Sequence, residues 1–329
     1  MPNALAFLLT LSVALLGGGQ LSVSAAQFPP AVLEGAVSVL PIRNGEPAGG
    51  GHLEEPEGTG IAVFDGFFVA TAAHVLTGAK EVHVRLSDGR VLPAQLVGQD
   101  RFTDIALLST ATRIPPFTLT PSAQSGIADG VSRRATVGMP VCSVGNQFGL
   151  GLSVTCGVVS AVHRSNVGFN PIEDFIQTDA AINPGASGGA LVDADGNLLG
   201  MLSGIFTKGS DANIGVNFAV HTGLLGRVLR DLKNHGKVQR AKSGMVVRAL
   251  TFSEKGAQSG VRVIRVPTTG AAWRAGLRPD DIIVTMAGRK IRYPKQVSAI
   301  VYGYRPGDHI AIDVVRGGKD QRLNLTLSE

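Results

Sequence analysis

The chain has 329 residues, room for about two domains of ordinary size, with 43 glycines, 44% apolar residues and only 5% aromatic ones. That balance suits a β-rich globular protein with many tight turns and excludes both disorder and a long helical bundle. The formal charge of +5 is uneven, with 17 Lys+Arg against 7 Asp+Glu in residues 234–329 and a net acidic remainder. No basic–aromatic interleaving marks a nucleic-acid surface, and no run approaches the roughly 18 apolar residues of a membrane-spanning helix.

The first element in chain order is Ala4–Leu16, an apolar block interrupted only by Thr10 and Ser12, followed by Gly17-Gly18-Gly19 and the small residues Ser24-Ala25-Ala26. It predicts a secretory signal over residues 1–26, cleaved after Ala26, and hence an exported protein in the periplasm or outside the cell. Gly45–Glu57 is a polar, glycine-bearing loop. Strands are predicted at Val37–Ile42, Gly60–Thr71, Val82–Leu86, Ile105–Leu108 and Val154–Val162, with turn dipeptides at Asp88-Gly89 and Asp195-Gly196. Many short strands separated by such turns point to a β-barrel or sandwich. Cys142 and Cys156 flank the turn Gly145–Gly149; a disulfide and a pair of buried thiols both fit that placement. A helix over Thr222–Lys233 closes this first block, residues 27–233, and a polar, basic linker follows at 234–242. The last block, 243–329, mixes a short helix at Ala271–Ala275, a strand at Ile282–Met286, a helix at Pro294–Tyr304 and a hairpin turning at Gly317-Gly318, as a small α+β module does.

Three residues carry the chemistry. Ser187, in Gly185-Ala186-Ser187-Gly188-Gly189, has glycines on both sides, so the amides of Gly185 and Ser187 are candidates to hold a developing oxyanion. His74 ends an apolar strand and Asp104 begins another. A buried carboxylate beside an imidazole fixes its tautomer and stabilises the imidazolium formed when the base takes the serine proton. Each residue alone has an ordinary structural explanation; the order His–Asp–Ser within a glycine-rich β block does not. The segment also matches the G-x-S-x-G elbow of α/β-hydrolases, but that needs a helix after the serine. Here Ala190–Leu202 continues as apolar runs broken by Asp195-Gly196.

Thr71-Ala72-Ala73-His74-Val75, Asp104-Ile105-Ala106-Leu107-Leu108, Val144–Leu150, Gln177–Gly189 and Gly215–Val220 together resemble the HtrA (Deg) serine proteases. The resemblance implies a mainly β chain, a trypsin-like double β-barrel protease domain followed by a small α+β PDZ domain, the latter carried by Gly270–Ile283. It implies ATP-independent cleavage of unfolded or damaged polypeptides without cofactor or metal, in a homotrimer or higher oligomer. His74 would be general base, Asp104 its partner and Ser187 the nucleophile. Met201, Leu202, Ile205 and Phe218 would line the specificity pocket, and Arg164 would act in a regulatory loop spanning His163–Glu173. Gly244, Met245 and Val246 would bind peptide C-termini. The chain has Ala186 and Ala190 where the family usually has Asn and Pro. A holdase chaperone, and a regulatory stress-sensor protease with a resting-inactive site, are the alternative readings.

Overall fold

The computed structural model describes residues 29–43, 58–119, 135–205 and 213–329. The predicted signal segment, its cleavage site and the polar loop at 45–57 lie outside the described residues. A short helix, α1 (Ala31–Glu34), leads into a closed barrel of β1 (Ala36–Ile42), β2 (Gly58–Val63), β3 (Phe68–Ala72), β4 (Glu81–Arg85), β5 (Val91–Asp100) and β6 (Ile105–Thr110), in the order β1-β2-β3-β6-β5-β4. A second closed barrel joins β7 (Pro140–Gly145), β8 (Ser153–Arg164), β9 (Phe175–Thr178), β10 (Ala190–Asp193), β11 (Leu198–Ile205) and β12 (Asn217–His221) in the order β10-β11-β12-β9-β8-β7. Helix α2 (Thr222–His235) follows and ends at Gly236 in the left-handed conformation.

Strand alternation explains why these segments read as nearly continuous apolar runs. Ala62 and Val69 face the interior of the first barrel with Val37, Val39 and Leu108. Ile61, Val63 and Ala70 face outward instead, yet they are equally buried. They pack in a seam against Val144, Ala190 and Met201 of the second barrel and against Leu225, Val228 and Leu229 of α2. Both faces of a strand are buried wherever one barrel leans on the other. The segment expected as one strand at Gly60–Thr71 is two, because Phe64 and Gly66 take positive φ angles (58° and 90°) and fold it into the β2–β3 hairpin.

Cys142 and Cys156 are direct partners in the β7–β8 ladder and form a disulfide. The bridge spans a sequence separation of 14, a loop whose closure stabilises the folded chain by about 3 kcal/mol on the chain-entropy account. The double variant Cys142→Ala/Cys156→Ala is expected to lose about that much, read as a fall in the urea unfolding midpoint.

The last unit is an open sheet in the order β13-β14-β15-β17-β18, built from β13 (Val246–Ala249), β14 (Val261–Arg265), β15 (Ile282–Met286), β17 (His309–Arg316) and β18 (Lys319–Thr326), with β16 (Arg289–Lys290) paired to β15. Helices α3 (Phe252–Ala257), α4 (Ala271–Arg274) and α5 (Pro294–Tyr302) interrupt it. Val297, Ile300 and Val301 of α5 are buried against the sheet, as the helical spacing predicts. Among the described residues, strand β13 pairs on one side only, with β14.

Arg289 of β16 reaches the second barrel and places both terminal nitrogens 3.2 Å from the carboxylate of Asp174. His163 Nδ1 lies 2.8 Å from the same carboxylate, and the His163 and His221 rings stack with centroids 4.9 Å apart. Burial alone would raise the Asp174 carboxyl; the His163 hydrogen bond and the charges around it outweigh that and hold it well below the usual range. His221 is pushed down from 6.5 to about 4, first by burial and then by the positive charges of His163 and Arg289, with Asp174 opposing. Its Nδ1 also accepts the Gly223 N–H at the start of α2, a role that protonation would abolish. Between pH 6.5 and 4 the unfolded chain takes up a proton at this residue and the folded chain does not. Stability is therefore expected to fall across that window by about 2–3 kcal/mol. His221→Asn, which keeps a capping oxygen, should flatten that part of a denaturation–pH profile.

Candidate active site

The end of β3 and the turn before β6 build the base. His74 sits in a single 3-10 turn, Ala73–Leu76. Asp104 has a left-handed backbone (φ 58°) that turns its carboxylate back toward β3. One carboxylate oxygen accepts the His74 main-chain N–H at 2.8 Å and the other lies 2.6 Å from Nδ1. The Asp104 carbonyl accepts the Ala73 N–H at 3.1 Å, so main chain and side chain together fix the histidine. The imidazole is half-exposed while the carboxylate is mostly covered, at 52% and 13%. That arrangement makes Nδ1 the protonated nitrogen and leaves Nε2 free to accept a proton.

The serine loop is docked on the same strand end. Gly188 is at φ 90°, and a Cβ there would lie 2.1 Å from the Thr59 carbonyl oxygen and 2.5 Å from Thr71 Oγ1, so only glycine fits. Thr59, fully buried in β2, clamps the loop from the other barrel. Its N–H donates to the Ser187 carbonyl at 2.9 Å and its hydroxyl to the Gly185 carbonyl at 2.7 Å. The Pro184 carbonyl accepts the Phe148 N–H at 2.7 Å. Because a peptide's C=O and N–H point opposite ways, this sends the Gly185 N–H away from Phe148. Among the described residues, neither the Gly185 nor the Ser187 amide meets an acceptor. The Ser187 hydroxyl is directed at the Ser203 carbonyl, 3.4 Å away.

The expected pocket residues separate. Met201 and Leu202 are both 0% exposed. As neighbours on β11 they point to opposite faces, Met201 into the seam between the barrels and Leu202 into the second barrel. In this conformation neither presents side-chain surface to a substrate. Phe218 is buried against Phe169 and Phe175, and the Ile205 side chain lies outside the described residues. Arg164, at the end of β8, is exposed and donates through Nε to Gln177 at 3.1 Å. Gly244, Met245 and Val246 are brought together, lining a groove of about 550 Å³ between β13 and α5 with Pro294, Val297 and Val301.

Thr59 and Glu173 were not visible as site residues in the sequence. Thr59 lies inside an alternating Gly58-Thr59-Gly60 run that signals only a strand, and its partner Gly185 is 126 positions away. Glu173 is 2% exposed. Its carboxylate accepts the main-chain N–H groups of Val167, Gly168, Phe169 and Asn170.

Two closed six-stranded barrels with this pair of residues and the serine loop at their seam define a trypsin-like peptidase domain, and the sheet after it is a PDZ domain. The sequence pattern of the trypsin-like peptidase domain matches residues 58–201 and that of the PDZ domain residues 212–327. The chain is 33% identical over 289 residues to the periplasmic serine endoprotease DegP of Escherichia coli K12, covering 85% of this chain and 59% of that protein. It is 35% identical over 291 residues to the chloroplastic Protease Do-like 1 of Arabidopsis thaliana, covering 84% and 64% respectively. It thus spans about three-fifths of the length of these curated relatives. The solved structure of the HtrA-type protease AlgW with a tripeptide superposes with a TM-score of 0.68 at 36% identity, over 91% of this chain and 95% of that one. The chain belongs to the HtrA family of serine proteases.

Proposed function

We propose that this chain is an exported serine endopeptidase that cleaves unfolded or damaged polypeptides without ATP, and that its PDZ domain captures peptide C-termini. The observation that carries the reading is the grip of Asp104 on both the main-chain N–H and Nδ1 of His74, beside a serine loop held from the opposite barrel. His74 Nε2 takes the Ser187 proton as Oγ attacks the substrate carbonyl. The amides of Gly185 and Ser187 receive the oxyanion, and the imidazolium returns its proton to the leaving amine. Water then releases the acyl group by the same route. Small aliphatic residues at the scissile position fit the family resemblance. The edge of β13 that has no partner among the described residues, beside the α5 groove, supports strand addition by a peptide terminus at Gly244–Val246.

On this reading residues 27–233 form the protease domain, 234–242 the linker and 243–329 the PDZ domain, after a cleaved signal at 1–26. The periplasmic relatives support a periplasmic location, and the family resemblance a homotrimer or higher oligomer, with Arg164 in the regulatory loop. The direction of the Ser187 hydroxyl toward Ser203 favours a second reading of the same site, a protease whose resting state awaits rotation of that hydroxyl toward His74. Incubation with a fluorophosphonate and with a permanently unfolded protein tests both. Labelling at Ser187 that rises when a peptide with an apolar C-terminus is added supports the regulated form. An absence of labelling and of cleavage under every condition refutes the protease.

A further inference from the structure

The segment between β8 and β9 does more than connect them. The buried Glu173 carboxylate gathers four consecutive main-chain N–H groups, from Val167, Gly168, Phe169 and Asn170, at 2.7, 2.7, 2.7 and 3.1 Å. Four donors on one carboxylate fix residues 167–170 as a rigid shelf. Phe169 stands on that shelf. Its ring meets Phe175 and Phe218 edge-on, with centroids 6.2 and 5.5 Å apart, and both of those are buried. Phe169 itself is 39% exposed, so one side of the ring is packed and another is open to solvent.

What the ring covers gives it a role. A Cβ built on Gly204 would lie 3.4 Å from Phe169 Cε2, which places the aromatic edge over the Gly204 backbone. Gly204 follows Ser203, whose carbonyl accepts the Ser187 hydroxyl. An extended polypeptide presenting a carbonyl to Ser187 runs past this end of β11, its side chains alternating between two faces. Gly204 has no side chain to offer the one that lies over it; Phe169 supplies that surface from another loop. We infer that Phe169 is the apolar wall of a substrate subsite beside the scissile position, selecting a bulky aliphatic or aromatic residue there. The inference rests on the protease reading above and deepens it by naming a substrate feature.

The test is mass-spectrometric mapping of cleavage sites in a mixture of unfolded proteins, with wild type, Phe169→Ala and Phe169→Leu, beside the rate of Ser187 labelling by a fluorophosphonate. The expected result is labelling within about two-fold for all three proteins and an unchanged residue at the scissile position. At one flanking position the preference for Phe, Tyr, Leu and Ile should drop about ten-fold in the alanine variant, with leucine retaining part of it. An alanine profile identical to wild type at every position overturns the subsite while leaving the protease reading intact. Equal loss of all cuts and of labelling in both variants also overturns it, because Phe169 would then hold up the site rather than face the substrate. A wild type that neither labels nor cuts overturns the protease reading and this inference with it.

Discussion

Asp104→Asn is expected to slow cleavage by about 10,000-fold while leaving KM and the unfolding midpoint almost unchanged. The carboxylate now accepts two N–H groups at once, the His74 main chain and Nδ1. An asparagine has only one accepting oxygen, and if that oxygen keeps the main-chain N–H, the amide NH₂ faces Nδ1. The ring must then carry its proton on Nε2, the atom that has to accept one from Ser187, so the wrong tautomer is locked in place. The fold survives for a local reason. Residue 104 has φ 58°, a left-handed conformation that Asn tolerates as well as Asp does. Single-turnover rates with an unfolded substrate, beside a thermal melt, check the prediction. A rate within ten-fold of wild type would remove Asp104 from the assignment.

How much of this was readable in the sequence depends on how local each feature is. His74, Asp104 and Ser187 announce themselves because each sits at a strand end or in a glycine-rich turn formed by its own neighbours. Helix α5 with its buried face, and the β17–β18 hairpin with its alternation and Gly317-Gly318 turn, are equally local. The turn inside Gly60–Thr71 carries Asp65-Gly66, a turn dipeptide like Asp88-Gly89, but it is overshadowed by the apolar run on both sides and by Phe64, an apolar residue in a left-handed position. Strand β5, at Val91–Asp100, escapes because it carries Pro93 and Gly98 and much of it is exposed. The placement of the expected pocket residues was hidden for a different reason. Apolarity at Met201 and Leu202 says that both are covered, not what covers them, and only the leaning of one barrel on the other makes both faces of β11 interior. The closures β1–β4 and β7–β10 join strands distant in sequence, and so does the contact of Thr59 with the serine loop. No period in the chain encodes them.

Thr59 is where that long-range information acts on chemistry, and Thr59→Val is expected to lower kcat by about 100-fold with a smaller change in KM. Valine keeps the volume and the β-branch, so strand β2 and the packing around it are preserved. What disappears is one hydroxyl that donates to the Gly185 carbonyl at 2.7 Å and accepts the Asn146 N–H at 2.8 Å. Both partners are buried, and leaving them unpaired costs about 1–3 kcal/mol each, so the unfolding free energy should fall as well. The valine main chain still holds the Ser187 carbonyl, which keeps the nucleophile itself in place. The freed carbonyl belongs to the Gly185–Ala186 peptide, next to the Pro184–Gly185 peptide whose N–H is one of the two proposed oxyanion donors. The aim of that donor therefore loosens through the Gly185 backbone angles. Losing a single such donor typically costs 100- to 1,000-fold in turnover, and a loop that still samples the correct orientation falls at the low end of that range. Measuring kcat and KM separately distinguishes this from general loosening. A matched fall in cleavage of all substrates and in Ser187 labelling, with KM held, is the expected signature. A variant that loses stability but turns over at the wild-type rate would show that Thr59 holds the barrels together without aiming the loop.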